Sequence, residues 1–165
     1  MNGSASPVTT LLFDMDNTLF DLVGAQMASC HKVAHSFGRS DGEELFGYFL
    51  RQVRGFESHH NILDYLNDRD IGTEGSYPDA CRLFERVKLE KIRAYDGVRE
   101  TLEILSGSGY RMCIVTDAHS RDATLRLGKI GLLPYFSGLV SFDMTGQKKP
   151  SPEPFLLALD IVSQK

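Results

Sequence analysis

The sequence has no surplus of basic residues, few cysteines and no long apolar run. Lys and Arg number 18 against 22 Asp and Glu, a net charge of -4. Nucleic-acid binders usually carry a basic patch, so no nucleic-acid partner is expected. A membrane-spanning helix needs about 20 consecutive apolar residues. No stretch approaches that length, and no membrane association is expected. The opening MNGSASPVTT lacks the basic and apolar regions of a signal peptide and reads as a flexible leader. Only three cysteines occur, Cys30, Cys81 and Cys113, without a CxxC pair. That spacing disfavours a disulfide framework or a zinc site, and buried free thiols in a reducing cytoplasm are expected. There is no internal repeat. There is also no GxGxxG, so the glycine-rich turn of a dinucleotide fold is missing.

What is present is an ordinary globular composition, 42% hydrophobic and 24% charged over 165 residues. A chain of this length buries a core without staples. VTTLLF (Val8 to Phe13) is β-branched and apolar, as in a strand of a parallel sheet buried on both faces. Val23, Met27, Cys30, Ala34 and Phe37 then recur at helical spacing, with Gly38 placed to end the helix. Leu45, Phe49 and Val53 predict a second helix, and Ile62 with Leu66 a third. In a fourth, Ser76 stands three residues before Asp79 like a capping box, with Pro78 in the first turn.

From Asp96 the rhythm alternates. Asp96 is placed to cap a helix carrying Val98, Leu102 and Leu105, stopped by GSG at Gly107. YRMCIVT reads as a strand ending at Thr116, Ser120 to Ile130 as a helix, and SGLVSF (Ser137 to Phe142) as a strand. SPEPFLLALDIVSQ reads as a final helix with Ser151 as N-cap and Pro152 at its first position. This order predicts an α/β domain with a helical insertion after its first strand. Three polar clusters follow three strands: DMDNT, TDAHS and DMTGQKKP. Ligands in such sheets bind at the carboxyl ends of the strands.

Asp14 and Asp16 in DMDNT are open to a plain turn role. A calcium loop fails on spacing, because its sixth position is Leu19 and its twelfth Ala25, where Gly and Glu are required. The catalytic reading gives each residue work. A carboxylate at Asp14 can attack phosphorus. Asp16, two residues on, can protonate a leaving oxygen and then activate water. Such a pair meeting a phosphate needs a cation, and Mg²⁺ takes one or two carboxylates together with substrate phosphate. Thr116 can bind phosphate oxygens with its hydroxyl and neighbouring N–H groups. Lys149 or its neighbour Lys148 can neutralise charge, and His119 can reach a substrate near Thr116.

DMDNT, VTDAH and KKPSPEPF resemble the first three motifs of the haloacid dehalogenase-like superfamily, in order and spacing. LLPYFSGLVS ahead of the lysine resembles it too. The resemblance implies a Rossmann-like parallel sheet core, residues 1–20 and 95–165, with an all-helical C1-type cap at 21–94. It implies Asp14 as nucleophile, Asp16 as acid/base, and Thr116, Asp117 and Lys149 around the substrate phosphate. Lys149 is taken as the motif lysine because it directly precedes Pro150. Mg²⁺ would sit on the Asp14 carboxylate and the Asp16 carbonyl. The second Asp favours phosphate esters, so a Mg²⁺-dependent phosphatase acting on a small-molecule phosphate ester is expected, as a monomer or homodimer. A phosphomutase with the same motifs is an alternative. Cap residues facing substrate would include Arg51, Arg54, His59 and His60.

The resemblance stops short of a fourth acidic motif. Asp160 lies mid-helix and Asp143 precedes the lysine, so neither replaces it. The expectation is a core lacking its C-terminal part, and weak or absent activity for the 165-residue chain. A non-catalytic binding module is the reading from another class.

Overall fold

The structure, a computed structural model, describes residues 8–164. It divides into two compact units, one of Met1–Asp21 with Arg93–Lys165, the other of Leu22–Ile92. The first seven residues of the expected leader lie outside the described residues.

The first unit is α/β. Strands β1 (Thr10–Phe13), β2 (Arg111–Val115) and β3 (Gly138–Val140) form a parallel sheet in the order β1-β2-β3. Thr10 faces Arg111 and Phe13 faces Ile114, while Cys113 faces Gly138 and Val115 faces Val140. The middle strand is the buried one: Met112 to Val115 are each at most 2% exposed. β1 is half-buried along its length. It flanks β2 on one side of the described sheet, where an apolar run does not receive the burial its composition predicts.

Side chains alternate along β2. Cys113 and Val115 pack with Val140 against Ala158 and Val162 of the last helix, and Met112 and Ile114 are buried on the opposite face. Helices α5 (Val98–Gly107), α6 (Ser120–Lys129), α7 (Phe142–Thr145) and α8 (Glu153–Ser163) complete the unit, with a 3-10 turn at Leu133–Tyr135. The turn and α7 are too short for periodicity to reveal. α7 also takes Phe142 from the predicted third strand. A Cβ on Gly138 would lie 2.7 Å from Ile161 Cγ2 and 3.0 Å from Cys113 Sγ. Only glycine lets α8 approach β3 so closely.

The second unit is all-helical: α1 (Leu22–Ser36), α2 (Gly42–Leu50), α3 (His60–Asn67) and α4 (Ser76–Lys91). Its core holds Cys30, Val33, Leu45, Phe49, Ile62, Tyr65 and Phe84, with Phe49 and Phe84 stacked at 5.1 Å. Gly42 sits against His31, where a Cβ would meet the His31 backbone at 2.4 Å.

Several local expectations resolve differently. Val53 lies past the end of α2 and is exposed. Val23 is also exposed, the α1 stripe running instead through Leu22, Ala25, Cys30 and Val33. Gly75 and Gly97, both with positive φ, precede α4 and α5 in place of side-chain caps from Ser76 and Asp96. A positive φ at the helix entry suits glycine, so the N-cap position carries no side chain at either helix. Gly38, Gly109 and Gly131 follow helices with positive φ, as glycine after a helix commonly does.

Candidate active site

β1 delivers Asp14 directly after Phe13. A tight turn follows, in which Leu19 N–H donates to the Met15 carbonyl at 2.8 Å and Asn17 N–H to the Phe20 carbonyl at 2.9 Å. Asn17 has φ +58°, the left-handed region that Asn tolerates better than most residues. Met15 is fully buried between the two acids. Thr18 closes the turn by donating its hydroxyl to Asp14 Oδ2 at 2.8 Å.

Lys149 reaches Asp14 from 135 residues away. Its Nζ donates to Asp14 Oδ1 and, at 3.0 Å, to the Val115 carbonyl at the end of β2. Lys148 turns elsewhere, with its Nζ 5.4 Å from the Phe142 ring centre. Spacing alone did not separate the two lysines, and the fold does.

Thr116 continues β2 and is 3% exposed. Its N–H donates to the Val140 carbonyl, and its Oγ1 accepts from Ala118 N–H at 3.1 Å. The hydroxyl proton remains for an anion. Asp117 accepts from the Lys149 main-chain N–H at 2.9 Å. Its carboxylate thus ties the lysine loop to the end of β2. A carboxylate repels phosphate, so any contact of Asp117 with phosphate falls to its main chain. His119 stands apart: Nδ1 is 3.8 Å from Asp143, the ring is edge-on to Phe142, and the side chain is well exposed.

Asp16 has a partner the sequence reading did not name. Arg126 Nη1 lies 3.0 Å and 3.1 Å from the two Asp16 carboxylate oxygens. Arg126 is 2% exposed. The available signal was its place in α6, on one stripe with buried Ala123 and Leu127.

The other acids serve structure. Asp143 accepts from Ser120 N–H at 2.7 Å and Ser120 Oγ at 2.6 Å. These bonds at the N-terminus of α6 hold its carboxyl well below the usual range. Asp160 is exposed on α8 and accepts from Gln164. The cap candidates are engaged within the helical unit. Arg51 lies 3.6 Å over the Tyr48 ring, Arg54 pairs with Asp64, His59 bonds Glu85 at 2.7 Å, and His60 contacts Ser58.

Among the described residues, no group of three or more His, Cys, Asp or Glu is placed to hold a metal. Mg²⁺ commonly takes one or two carboxylates, with substrate and water completing its octahedron. The oxygen donors at the end of β1 fit it in kind.

A parallel sheet with a carboxylate–lysine pair and a buried threonine at its carboxyl edge marks an α/β enzyme of the strand-end type. Residues 11–164 match the family model for haloacid dehalogenase-like hydrolases, and the chain belongs to that family. It is 28% identical over 153 residues to a phosphorylated carbohydrates phosphatase of Thermotoga maritima, covering 91% of this chain and 68% of that one. It is 31% identical over 158 residues to the pyrophosphatase PpaX of Bacillus velezensis, covering 92% and 68%. Among solved structures, a candidate β-phosphoglucomutase from Thermotoga maritima superposes with a TM-score of 0.79 at 26% identity, covering 93% and 70%.

Proposed function

We propose that the protein hydrolyses a small phosphate monoester through an aspartyl phosphate on Asp14, with Mg²⁺ bound. The carrying observation is the Lys149 ammonium on Asp14 Oδ1, beside Thr116 at the next strand end. Lys149 holds the nucleophile in one rotamer and offsets the charge of an incoming phosphoryl group. Thr18 fixes the other carboxylate oxygen.

In the first step an Asp14 oxygen bonds to phosphorus as the ester P–O bond breaks. The Asp16 carboxyl gives its proton to the departing oxygen. In the second, the Asp16 carboxylate takes a proton from water as the water oxygen attacks phosphorus. Asp14 leaves as carboxylate, with free phosphate. Thr116 and the main chain of Asp117 receive the phosphoryl oxygens throughout. Mg²⁺, held by the Asp14 carboxylate and the Asp16 carbonyl, would supply positive charge to the transferring group. The helical unit is assigned the role of a cap. The free cysteines suit the cytoplasmic setting we assign to the protein.

The names of the two relatives support phosphate chemistry and differ in substrate. The test is phosphate release by the natural polypeptide from sugar phosphates, phosphoglycolate and pyrophosphate, with and without Mg²⁺. Asp14→Asn is expected to cost about 10⁴-fold or more in turnover. Undiminished release by that variant would remove Asp14 as nucleophile. The likeness to the candidate phosphoglucomutase favours one second reading, a mutase. An isomerised sugar phosphate appearing without free phosphate would decide for it.

A further inference from the structure

α6 is patterned against burial energetics at two adjacent positions. Leu125 is 47% exposed while its neighbour Arg126 is 2% exposed. The same helix keeps Arg121 and Lys129 at exposed positions. A guanidinium taken out of water is costly unless hydrogen-bonded to an anion. A local inversion of this kind marks a position selected for something other than stability. The anion that Arg126 meets is Asp16, both of whose oxygens face its Nη1.

The turn after β1 fixes the Asp16 backbone, and the direction of its carboxylate depends on two further side-chain bonds. Arg126 constrains those bonds from 110 residues away, through contacts to both oxygens. Asp14 is held independently by Lys149 and Thr18. Two carboxylates two residues apart thus each have their own cation, and their orientations are set separately.

We propose that Arg126 is the positioning residue for Asp16, setting the orientation in which its carboxyl group gives a proton to the leaving oxygen and its carboxylate then takes one from water. This rests on the phosphatase reading above. An alkyl phosphate needs that proton, because an alkoxide leaves poorly. A p-nitrophenyl ester does not, because the phenolate leaves unaided. The constant kcat/KM reports the steps through P–O cleavage, where the two esters differ.

The experiment measures kcat/KM of the natural polypeptide for an alkyl phosphate that it hydrolyses and for p-nitrophenyl phosphate. Wild type is compared with Arg126→Met, Arg126→Lys and Asp16→Asn. Arg126→Met is expected to lose at least about tenfold more on the alkyl than on the aryl ester, and Arg126→Lys to recover part of that gap. In an Asp16→Asn background, Arg126→Lys is expected to leave the alkyl-to-aryl ratio unchanged, which keeps the test open should Arg126→Met not fold. Equal losses on the two esters, or a ratio that still moves in the Asp16→Asn background, would overturn the proposal and leave the phosphatase reading intact. A wild type that releases no phosphate from any ester would end both.

Discussion

Asp14 and Asp16 differ in what holds them, and that difference is measurable as stability. The Asp14–Lys149 pair is partly open to water, with side chains 38% and 25% exposed. Pairs in such settings contribute little, and Asp14→Ala is expected to change stability by less than about 1 kcal/mol. The Asp16–Arg126 pair is more enclosed, at 18% and 3%. Asp16→Ala removes the carboxylate that a buried guanidinium contacts, and on the order of 3 kcal/mol is expected to be lost. Urea unfolding of the two variants checks both values, and similar midpoints would contradict the contrast. Asp14, Thr116 and Lys149 were legible because each follows or approaches a strand end, where ligands gather. Arg126 was not. An arginine on a helix is ordinarily a solvated residue, and the Asp16 carboxylate that it meets lies 110 residues away in sequence.

At the scale of elements, the apolar run of β1, the middle strand and the glycine stops were readable because burial and backbone permissiveness act locally. Helix caps were not, since a side-chain cap works only where the entry backbone lets it fold onto the first turn. At α4 and α5 glycines with positive φ take that place. α6 receives its acceptor from outside the helix, in Asp143. No sequence window around Ser120 contains that partner. Gly138 is a further long-range requirement, set by Ile161 on α8 and Cys113 on β2. Gly138→Ala is expected to destabilise the chain by about 1–3 kcal/mol through overpacking, seen as a lower urea midpoint. An unchanged midpoint would show that α8 shifts freely on the sheet.

For the molecule as a whole, acid is expected to act on the helical unit through Glu85 and Asp41. Burial pushes the Glu85 carboxyl up, but the bonds from His59 and Lys88 outweigh it and bring the carboxyl down to about 2. Asp41 is held well below the usual range by Arg39, against burial, with help from Tyr65 and Arg69. Both groups bind protons more readily unfolded, with pKa near about 4. Their contribution is therefore full above that value and is lost as pH falls toward about 2. Urea midpoints followed from pH 6 to 2 should fall less steeply for Glu85→Gln than for wild type. Parallel curves would exclude Glu85 as a source of the slope.

The insertion of Leu22–Ile92 between β1 and β2 also sets a timetable during synthesis. On the ribosome the helical unit has all its core residues before Arg111, the first partner of β1, has been made. That unit is free to fold early, as domains generally do, while the nascent β1 waits for its neighbour across about 100 residues. The two acids are translated before the helical unit, and Arg126 and Lys149 after it. A pause or early stop in translation after residue 92 would thus yield a folded helical unit carrying both carboxylates and neither of their cations.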